Sequence, residues 1–191
     1  KGGGQGAKNL ILATLGTGVG GGTIINEKIV TGAHGAGGEI GHAAVNPHET
    51  VACNCGNKGC LEQYASATGI ANLAKKALEA SDEASSLREI DAVTAKDVFD
   101  AYKEGDALAG KIVEKFAGYL GRALAVFSCV ADPDVIVLGG GVSKAGQVLI
   151  DCVEKKFKEH AFQGCKETPI KLATLGNDAG IYGAAKLILS R

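Results

Sequence analysis

Residues 9–22 read NLILATLGTGVGGG, and they decide how the first part of the chain folds. Residues 9–15 are a continuous apolar run that ends at a glycine, which is typical of a central strand buried on both faces. The glycine-rich stretch 16–22 lacks the Gly-Lys-Ser/Thr ending of a Walker loop. Residues 23–30 have strand-forming residues around a polar turn, so no helix follows and the dinucleotide-binding fingerprint is also excluded. The stretch therefore predicts a hairpin that joins two strands through glycines.

The glycines of this hairpin also indicate a phosphate site. Successive backbone N–H groups, together with the hydroxyl of Thr17, can cradle a phosphate. A tight turn without a ligand is the alternative, but such a turn does not need five glycines and a threonine. The candidate nucleotide-binding residues here are Gly16, Thr17, Gly18 and Gly20.

A second apolar strand, residues 134–138, runs into Gly139, Gly140 and Gly141. In this case a helix is predicted to follow, with Ser143 as its N-cap. A strand, a glycine turn and a helix start can seat the base and ribose of a nucleotide, because no bulky side chain keeps the backbone from a flat ring. The three glycines are therefore further candidate nucleotide-binding residues.

The intervening sequence has the apolar spacing of helices. Predicted helices begin at Thr68, at a capping box opened by Thr94, and at Asp106. The last of these ends before Pro133, and residues 81–93 form a polar loop or irregular excursion. Further on, residues 170–175 are predicted as a strand and 181–189 as a terminal helix. This order indicates an α/β fold with a mixed sheet flanked by helices. It is the order of a ribonuclease-H-like lobe of the actin-like ATPase superfamily, whose members bind ATP between two such lobes.

Residues 53–60, CNCGNKGC, predict a metal site together with His42, eleven residues upstream. Three cysteines and one imidazole form the Cys₃His set that closes a tetrahedral zinc site, and Gly56 and Gly59 let the backbone curl between them. Disulfides are the alternative, but a Cys-x-Cys bridge closes a small, strained ring, and the sequence has no secretory signal. Because these four residues close the tetrahedral site, the zinc is expected to be structural. Its predicted ligands are His42, Cys53, Cys55 and Cys60.

Two carboxylates flank these ligands. Glu39 lies three residues before the first ligand and Glu62 two residues after the last. Carboxylates accept hydrogen bonds from sugar hydroxyls, and a metal clip would keep them aimed. The alternative is a pair of solvated surface glutamates, the commoner fate of any single Glu.

Composition excludes two classes of partner. Lys and Arg number 20 against 21 Asp and Glu, giving a net charge of -1, and no basic run marks a nucleic-acid surface. No apolar stretch has the length of a membrane span. The 6 cysteines without a targeting segment indicate a reducing, cytoplasmic setting.

Several stretches together resemble one family, the ROK family of bacterial sugar kinases and sugar-responsive repressors, with its glucokinase branch the nearest. The resemblance runs from Asn9 to Leu189 and is carried by LGTGVGGG (15–22), GEIGH (38–42), CNCGNKGCLE (53–62), VLGGGV (137–142) and NDAG (177–180).

The resemblance implies roles that agree with those read from the residues. His42 and the three cysteines would hold zinc, while Glu39, His42 and Glu62 would contact sugar hydroxyls, the imidazole giving one nitrogen to each task. Stretch 16–22 would be the second phosphate loop, and Gly139, Gly140 and Gly141 would line the adenosine pocket. The implied partners are a hexose, glucose by resemblance, and ATP with Mg²⁺, in a homodimeric enzyme.

Family kinases also carry an Asp-x-Gly-Gly-Thr loop and a Glu-Asn-Asp stretch whose Asp is the catalytic base, and neither occurs here. The chain begins with KGGGQG and has no Met. We therefore expect residues 1–191 to be the C-terminal lobe of a sugar kinase, with segment 42–62 as a zinc-binding insertion and no turnover by itself. The alternative is a sugar-sensing repressor whose DNA-binding part lies outside the chain.

Overall fold

The computed structural model describes residues 2–189. The strands are β1 (Leu10–Leu15), β2 (Val19–Ile25), β3 (Lys28–Ile29), β4 (Val135–Gly139) and β5 (Ile170–Leu172). The helices are α1 (Glu62–Ala65), α2 (Ala67–Ala80), α3 (Ala95–Lys103), α4 (Ala107–Ala131), α5 (Gln147–His160) and α6 (Ala179–Leu189). Short 3₁₀ turns lie at Ile40–His42, Ser86–Glu89, Gly141–Ala145 and Gly176–Asp178.

The strands form one sheet in the order β3-β2-β1-β4-β5. The β1–β2 and β2–β3 pairs are antiparallel, and the β1–β4 and β4–β5 pairs are parallel. The predicted hairpin and the mixed α/β sheet are confirmed. Asn26 and Glu27 form the polar turn between β2 and β3, both with left-handed φ angles of 51° and 64°.

The central strand β1 is buried on one face only. Ile11, Ala13 and Leu15 point into the helical core, whereas Leu10, Leu12 and Thr14 are half-buried. The prediction of a strand buried on both faces is therefore wrong for β1. All five residues of β4, the second predicted apolar strand, are buried. The half-buried face lies near residues 2–7, where Gly4 approaches Leu10 too closely for a side chain.

One carboxylate aligns the two parallel strands β1 and β4. Asp134 accepts hydrogen bonds from the backbone N–H groups of Lys8 and Asn9, both at 2.8 Å. The N–H of Asp134 in turn donates to the carbonyl of Asn9 at 2.9 Å. These bonds lie just before β1 and β4 and fix their register, in which Leu10 faces Val135.

Two of the predicted helix starts are confirmed. Thr94 and Asp97 form the capping box of α3, and Asp106 caps α4 by accepting from the N–H of Ala109 at 2.9 Å. Asp106 also accepts from Ser85 and Ser86, which ties down the polar excursion. α4 ends at Ala131, before Pro133 as predicted.

The other predicted starts need correction. The cap of α2 is Ser66 rather than Thr68, because the hydroxyl of Ser66 accepts from the N–H of Gly69 at 2.9 Å. Ser143 caps no helix, since its hydroxyl donates to the carbonyl of Gly140 at 2.7 Å inside a 3₁₀ turn. α5 begins only after Gly146, whose φ of 80° re-aims the chain. β5 ends at Leu172, earlier than predicted.

Helices α1 to α5 enclose the core against one face of the sheet, with α4 packed along α5. The largest fully buried side chains include Phe116 and Phe157 from these two helices. Among residues 2–189, no helix combines the length and the apolarity that crossing a bilayer requires.

Candidate functional site

The segment that carries Glu39 and His42 packs directly on the backbone of β2. A Cβ placed on Gly21 would lie 2.4 Å from the carbonyl oxygen of Gly38, and one on Gly41 would lie 2.0 Å from that of Val19. These approaches are possible only because the residues are glycines. Gly21 of β2 and Gly41 of the 3₁₀ turn therefore let the turn that ends at His42 lie directly on the strand.

Residues 43–61 form a compact knuckle between His42 and Glu62. Gly56 and Gly59 adopt left-handed φ angles of 89° and 74°, which let the backbone curl between the cysteines. Ala44 bridges to Cys60 and Ala52 to Lys58, so the knuckle is a small irregular hairpin. This geometry returns Cys60 to the neighbourhood of His42.

The four predicted metal ligands converge. Their ligand atoms all lie within 4.8 Å of one another. Sγ of Cys55 is 3.6 Å from Sγ of Cys60, and Sγ of Cys53 is 3.8 Å from Nδ1 of His42. Three sulfurs and one imidazole nitrogen at this spacing fit a tetrahedral zinc ion. None of the three cysteines is joined in a disulfide.

The thiols differ in their affinity for protons. Burial, followed by the hydrogen bond to Glu62, raises the pKa of Cys53 to about 12, and burial also raises the pKa of Cys60. A backbone hydrogen bond from Asn57 lowers the pKa of the exposed Cys55. Because metals bind the thiolate, binding would release these protons and would weaken in acid.

The two predicted carboxylates face opposite nitrogens of His42. Oε2 of Glu39 lies 3.9 Å from Nε2, and Oε1 of Glu62 lies 3.9 Å from Nδ1. Oε1 of Glu62 also accepts a hydrogen bond from Sγ of Cys53 at 2.9 Å. Glu62 is the better enclosed, with 18% of its side chain exposed against 64% for Glu39. The three predicted sugar-contacting residues thus form one cluster beside the metal ligands.

The β1–β2 turn lies against this cluster. Only residues 16–18 lie between the strands, with the N–H of Gly16 donating to the carbonyl of Gly18 at 3.0 Å and Thr17 exposed. Oε2 of Glu62 is so close to Gly18 that a Cβ there would be 2.7 Å from it. Gly20 belongs to β2, where a Cβ would meet the hydroxyl of Thr14 at 2.7 Å. The glycine at position 20 thus leaves room for the Thr14 side chain, and its contact with a nucleotide stays a prediction.

The glycines at positions 139–141 lead from β4 to the edge of a cavity. A Cβ on Gly140, whose φ is 84°, would lie 2.5 Å from the carbonyl oxygen of Leu15, so the end of β4 crosses close to β1. Gly141 borders a cavity of about 350 Å³. The cavity reaches the β1–β2 turn through Ala67, whose N–H donates to the carbonyl of Gly16 at 2.7 Å.

Helix α3 contributes residues to this cavity that the sequence did not indicate. Phe99 supplies an apolar wall, and Lys96 and Lys103 of α3 bring positive charge to the rim. Lys144, from the 3₁₀ turn Gly141–Ala145, adds a third lysine. Asp100 pairs with Lys96 at 2.7 Å and with Lys103 at 3.5 Å. The capping box predicted the helix, but no local pattern connects α3 with Gly141, which lies in a separate part of the sequence.

A half-buried polar network behind the knuckle was also missed. The hydroxyl of Tyr64 donates to Oε2 of Glu49 at 2.6 Å and accepts from the side-chain amide of Asn46 at 2.9 Å. Oε1 of Glu49 accepts from the N–H groups of Thr50 and Val51. Hydrogen bonding to Tyr64 lowers the pKa of Glu49 to about 2, and burial raises the pKa of Tyr64.

Tyr64 also anchors this network to the helices, because its ring stacks on that of Tyr119 in α4 with centroids 4.1 Å apart. The knuckle is thus held from behind by α1 and α4 as well as by its own turns.

The chain is similar in sequence and in structure to known glucokinases. It is 45% identical over 192 residues to a glucokinase of Halalkalibacterium halodurans, covering 98% of this chain and 58% of that protein. A ROK family glucokinase from Streptomyces griseus, solved with glucose and AMPPNP, superposes with a TM-score of 0.85 at 36% identity, over 96% of this chain and 61% of that one. The chain thus spans about three fifths of the length of these relatives.

The same fold occurs in a regulator. A ROK family transcriptional regulator, a homolog of the E. coli MLC protein, superposes with a TM-score of 0.84 at 29% identity, over 96% of this chain and 46% of that one. The ROK family model matches residues 1–191. With the predicted motifs gathered on one fold and the family match covering every residue, this chain belongs to the ROK family.

Proposed function

We propose that this chain is the C-terminal lobe of an ATP-dependent glucokinase, which transfers the γ-phosphoryl group of ATP to glucose to give glucose 6-phosphate. The observation that carries the proposal is the position of Glu62, between the Cys₃His cluster on one side and Gly18 on the other. A sugar-hydroxyl acceptor next to a glycine turn suited to phosphate is what phosphoryl transfer to a sugar needs. The identity to glucokinases over nearly the whole chain supports the same assignment.

Sugar recognition is assigned to Glu39, His42 and Glu62. The carboxylates accept hydrogen bonds from hydroxyls of the hexose, and Nε2 of His42 is free of the metal ligands and can donate one. In the present geometry Oε1 of Glu62 accepts from the thiol of Cys53. A cysteine that ligates zinc is a thiolate and cannot donate, so Glu62 would then be open to a hydroxyl.

Structural zinc is assigned to His42, Cys53, Cys55 and Cys60. The donor chemistry and the 4.8 Å spread of the ligand atoms support it. The ion supplies rigidity when bound, keeping the residues beside it in place. Nδ1 of His42 faces Cys53 and is the nitrogen expected to bind the metal, which leaves Nε2 directed to Glu39.

The nucleotide is assigned to the cavity beside Gly141 and to the β1–β2 turn. The apolar wall of Phe99 suits a purine base, and the lysines on the rim suit an anionic ligand. The phosphates would extend toward residues 16–18, where backbone N–H groups and the Thr17 hydroxyl can hold them. Mg²⁺ would accompany ATP, and the catalytic base is assigned to the part of the protein outside this chain.

The test is steady-state kinetics of the protein that carries this chain together with its remaining lobe. Each lost charged hydrogen bond costs roughly 1–3 kcal/mol, so Glu39→Gln and Glu62→Gln should raise the KM for glucose by about ten- to a hundredfold. Glu79→Gln, a change of an exposed glutamate on α2, is the matched control. If both site variants keep the wild-type KM for glucose, the carboxylates are surface groups and the proposal is wrong.

A sugar-responsive repressor is the second candidate, and the superposition on the ROK family regulator is the observation that favours it. Such a protein binds sugar and changes its affinity for DNA without consuming ATP. Glucose-dependent ADP formation by the intact protein decides for the kinase; sugar binding without ADP formation decides for the repressor.

We also propose that the intact protein is a cytoplasmic homodimer. Three thiols gathered for a metal suit a reducing compartment. Val126 and Val130 are exposed one turn apart on α4 and provide apolar surface that a second copy can cover. Sedimentation of the wild type against Val130→Glu would test the dimer.

A further inference from the structure

The carboxylate of Glu62 touches two parts of the site that the sequence treats as separate. Oε1 contacts Cys53 and His42 in the metal cluster. Oε2 occupies the space beside Gly18 in the β1–β2 turn, where a Cβ would come within 2.7 Å. Such a separation is shorter than real side chains show, so a methyl group at position 18 and the present Glu62 conformation exclude each other.

The backbone offers little freedom to relieve that conflict. The carbonyl of Glu62 accepts from the hydroxyl of Ser66 at 2.6 Å, and Ser66 in turn caps α2. The next residue, Ala67, donates its N–H to the carbonyl of Gly16 at 2.7 Å. The helix start that carries Glu62 and the turn that carries Gly18 are therefore joined, and the carboxylate itself would have to move.

We infer that Gly18 is a positioning residue for the sugar: its missing side chain leaves the room in which the Glu62 carboxylate sits. This inference rests on the proposed function and deepens it. Gly18, in the β1–β2 turn proposed for phosphate, thereby determines the orientation of the sugar-binding carboxylate of Glu62. One contact between these two residues joins the proposed phosphate and sugar sites.

Gly16 provides a matched control within the same turn. Neither glycine has a left-handed φ, so alanine is compatible with the backbone at both positions. At Gly16, however, the nearest atom to a Cβ is 4.0 Å away, an ordinary contact. An effect of alanine on phosphate binding through backbone stiffness would appear in both variants, whereas displacement of Glu62 would appear only at position 18.

The experiment compares Gly18→Ala with Gly16→Ala in the intact kinase, with separate KM values for glucose and ATP. Gly18→Ala should raise the KM for glucose about tenfold, the loss expected for one charged hydrogen bond, while Gly16→Ala changes it less than about twofold. Metal content and melting temperature should match the wild type in both variants. Equal glucose KM values for the two variants overturn the inference.

A double-mutant cycle with Glu62→Asp separates positioning from general damage. The aspartate is one methylene shorter and does not reach the space beside Gly18, so adding Gly18→Ala to Glu62→Asp should leave the glucose KM of the single variant unchanged. Additive effects overturn the inference while leaving the proposed kinase intact. A wild type that forms no ADP from glucose and ATP overturns the proposed function and this inference with it.

Discussion

The knuckle and the glycine turns are built in opposite ways. In the knuckle, side chains converge, and four ligand atoms lie within 4.8 Å of one another. At the β1–β2 turn and the end of β4, backbones converge, and the residues matter through the side chains that they lack. A site of the knuckle kind, where side chains converge, can therefore be recognised from residue types and their spacing. A site where backbones converge requires knowing which strand or side chain fills the space.

The largest effect is expected from removing one metal ligand of the knuckle. Cys55→Ser should abolish stoichiometric zinc and lower the free energy of unfolding by about 3 kcal/mol or more, the contribution of a ligand at a hundredfold excess over its Kd. Elemental analysis and thermal unfolding measure the two quantities. Cys129→Ser, at an exposed position on α4, should change neither. A Cys55→Ser protein with full zinc content would contradict the assignment.

Two alanine substitutions in β2 test whether glycines matter where backbones converge. Gly21→Ala would place a Cβ 2.4 Å from the carbonyl oxygen of Gly38, which is backbone and cannot swing away. We expect it to lower the free energy of unfolding by about 1–3 kcal/mol. At Gly22 no atom lies within 4 Å of a Cβ, so Gly22→Ala should stay within about 0.5 kcal/mol of the wild type. Urea denaturation of the two variants checks this, and equal stabilities would contradict it.

The network behind the knuckle should make the stability of the protein depend on pH. The folded pKa of Glu49 is about 2 against an ordinary value of 4.5, so its ionised form stabilises the fold above pH 4.5. This contribution is lost as the pH falls from 4.5 toward 2. The pKa difference corresponds to about 3 kcal/mol, and solvent screening at the edge of the protein reduces our expectation to about 1–2 kcal/mol.

Glu49→Gln should therefore be less stable than the wild type at pH 7, and the gap should close in acid. Unfolding measured for both proteins from pH 7 to 3 cancels effects common to both, release of metal included. A gap that stays constant with pH would show that Glu49 contributes by packing alone.

The smallest effect is expected at Thr17. It is exposed in the β1–β2 turn and touches the nucleotide only, if the proposed function holds. Thr17→Ala should raise the KM for ATP by about two- to tenfold, equivalent to one neutral hydrogen bond, and leave the KM for glucose unchanged. Thr17→Ser keeps the hydroxyl and should behave as wild type. An equal loss in Thr17→Ser would mean that the methyl group, not the hydroxyl, is what matters.

Sequence reasoning succeeded where a residue's chemistry is local. It located the Cys₃His cluster, the hairpin, the capping box at Thr94 and the cap at Asp106, because each depends on residues close in sequence. It also brought Glu39 and Glu62 to the same cluster, since both flank the metal ligands.

It failed where neighbours come from distant segments. The half-buried face of β1, the lysines around the cavity and the Glu49–Tyr64 bond depend on packing between elements that no local pattern joins. The contact between Gly20 and Thr14 was similarly hidden, because Thr14 lies on the neighbouring strand of the β1–β2 pair. Ser143 misled because a serine before an apolar helical pattern resembles an N-cap, whereas Gly146 delays the helix.

The Asp134 contact has a consequence for the order of folding. Its partner Asn9 lies 125 residues away, so closing that loop costs about 4 kcal/mol of chain entropy before the β1–β4 pairing returns any energy. The β1–β2 hairpin, in contrast, closes across three residues and can form in microseconds. We therefore expect β1 to acquire its two neighbours on very different timescales. The carboxylate of Asp134 then selects the correct register at the slow step, where a slip by one residue would turn the core face of β1 toward solvent.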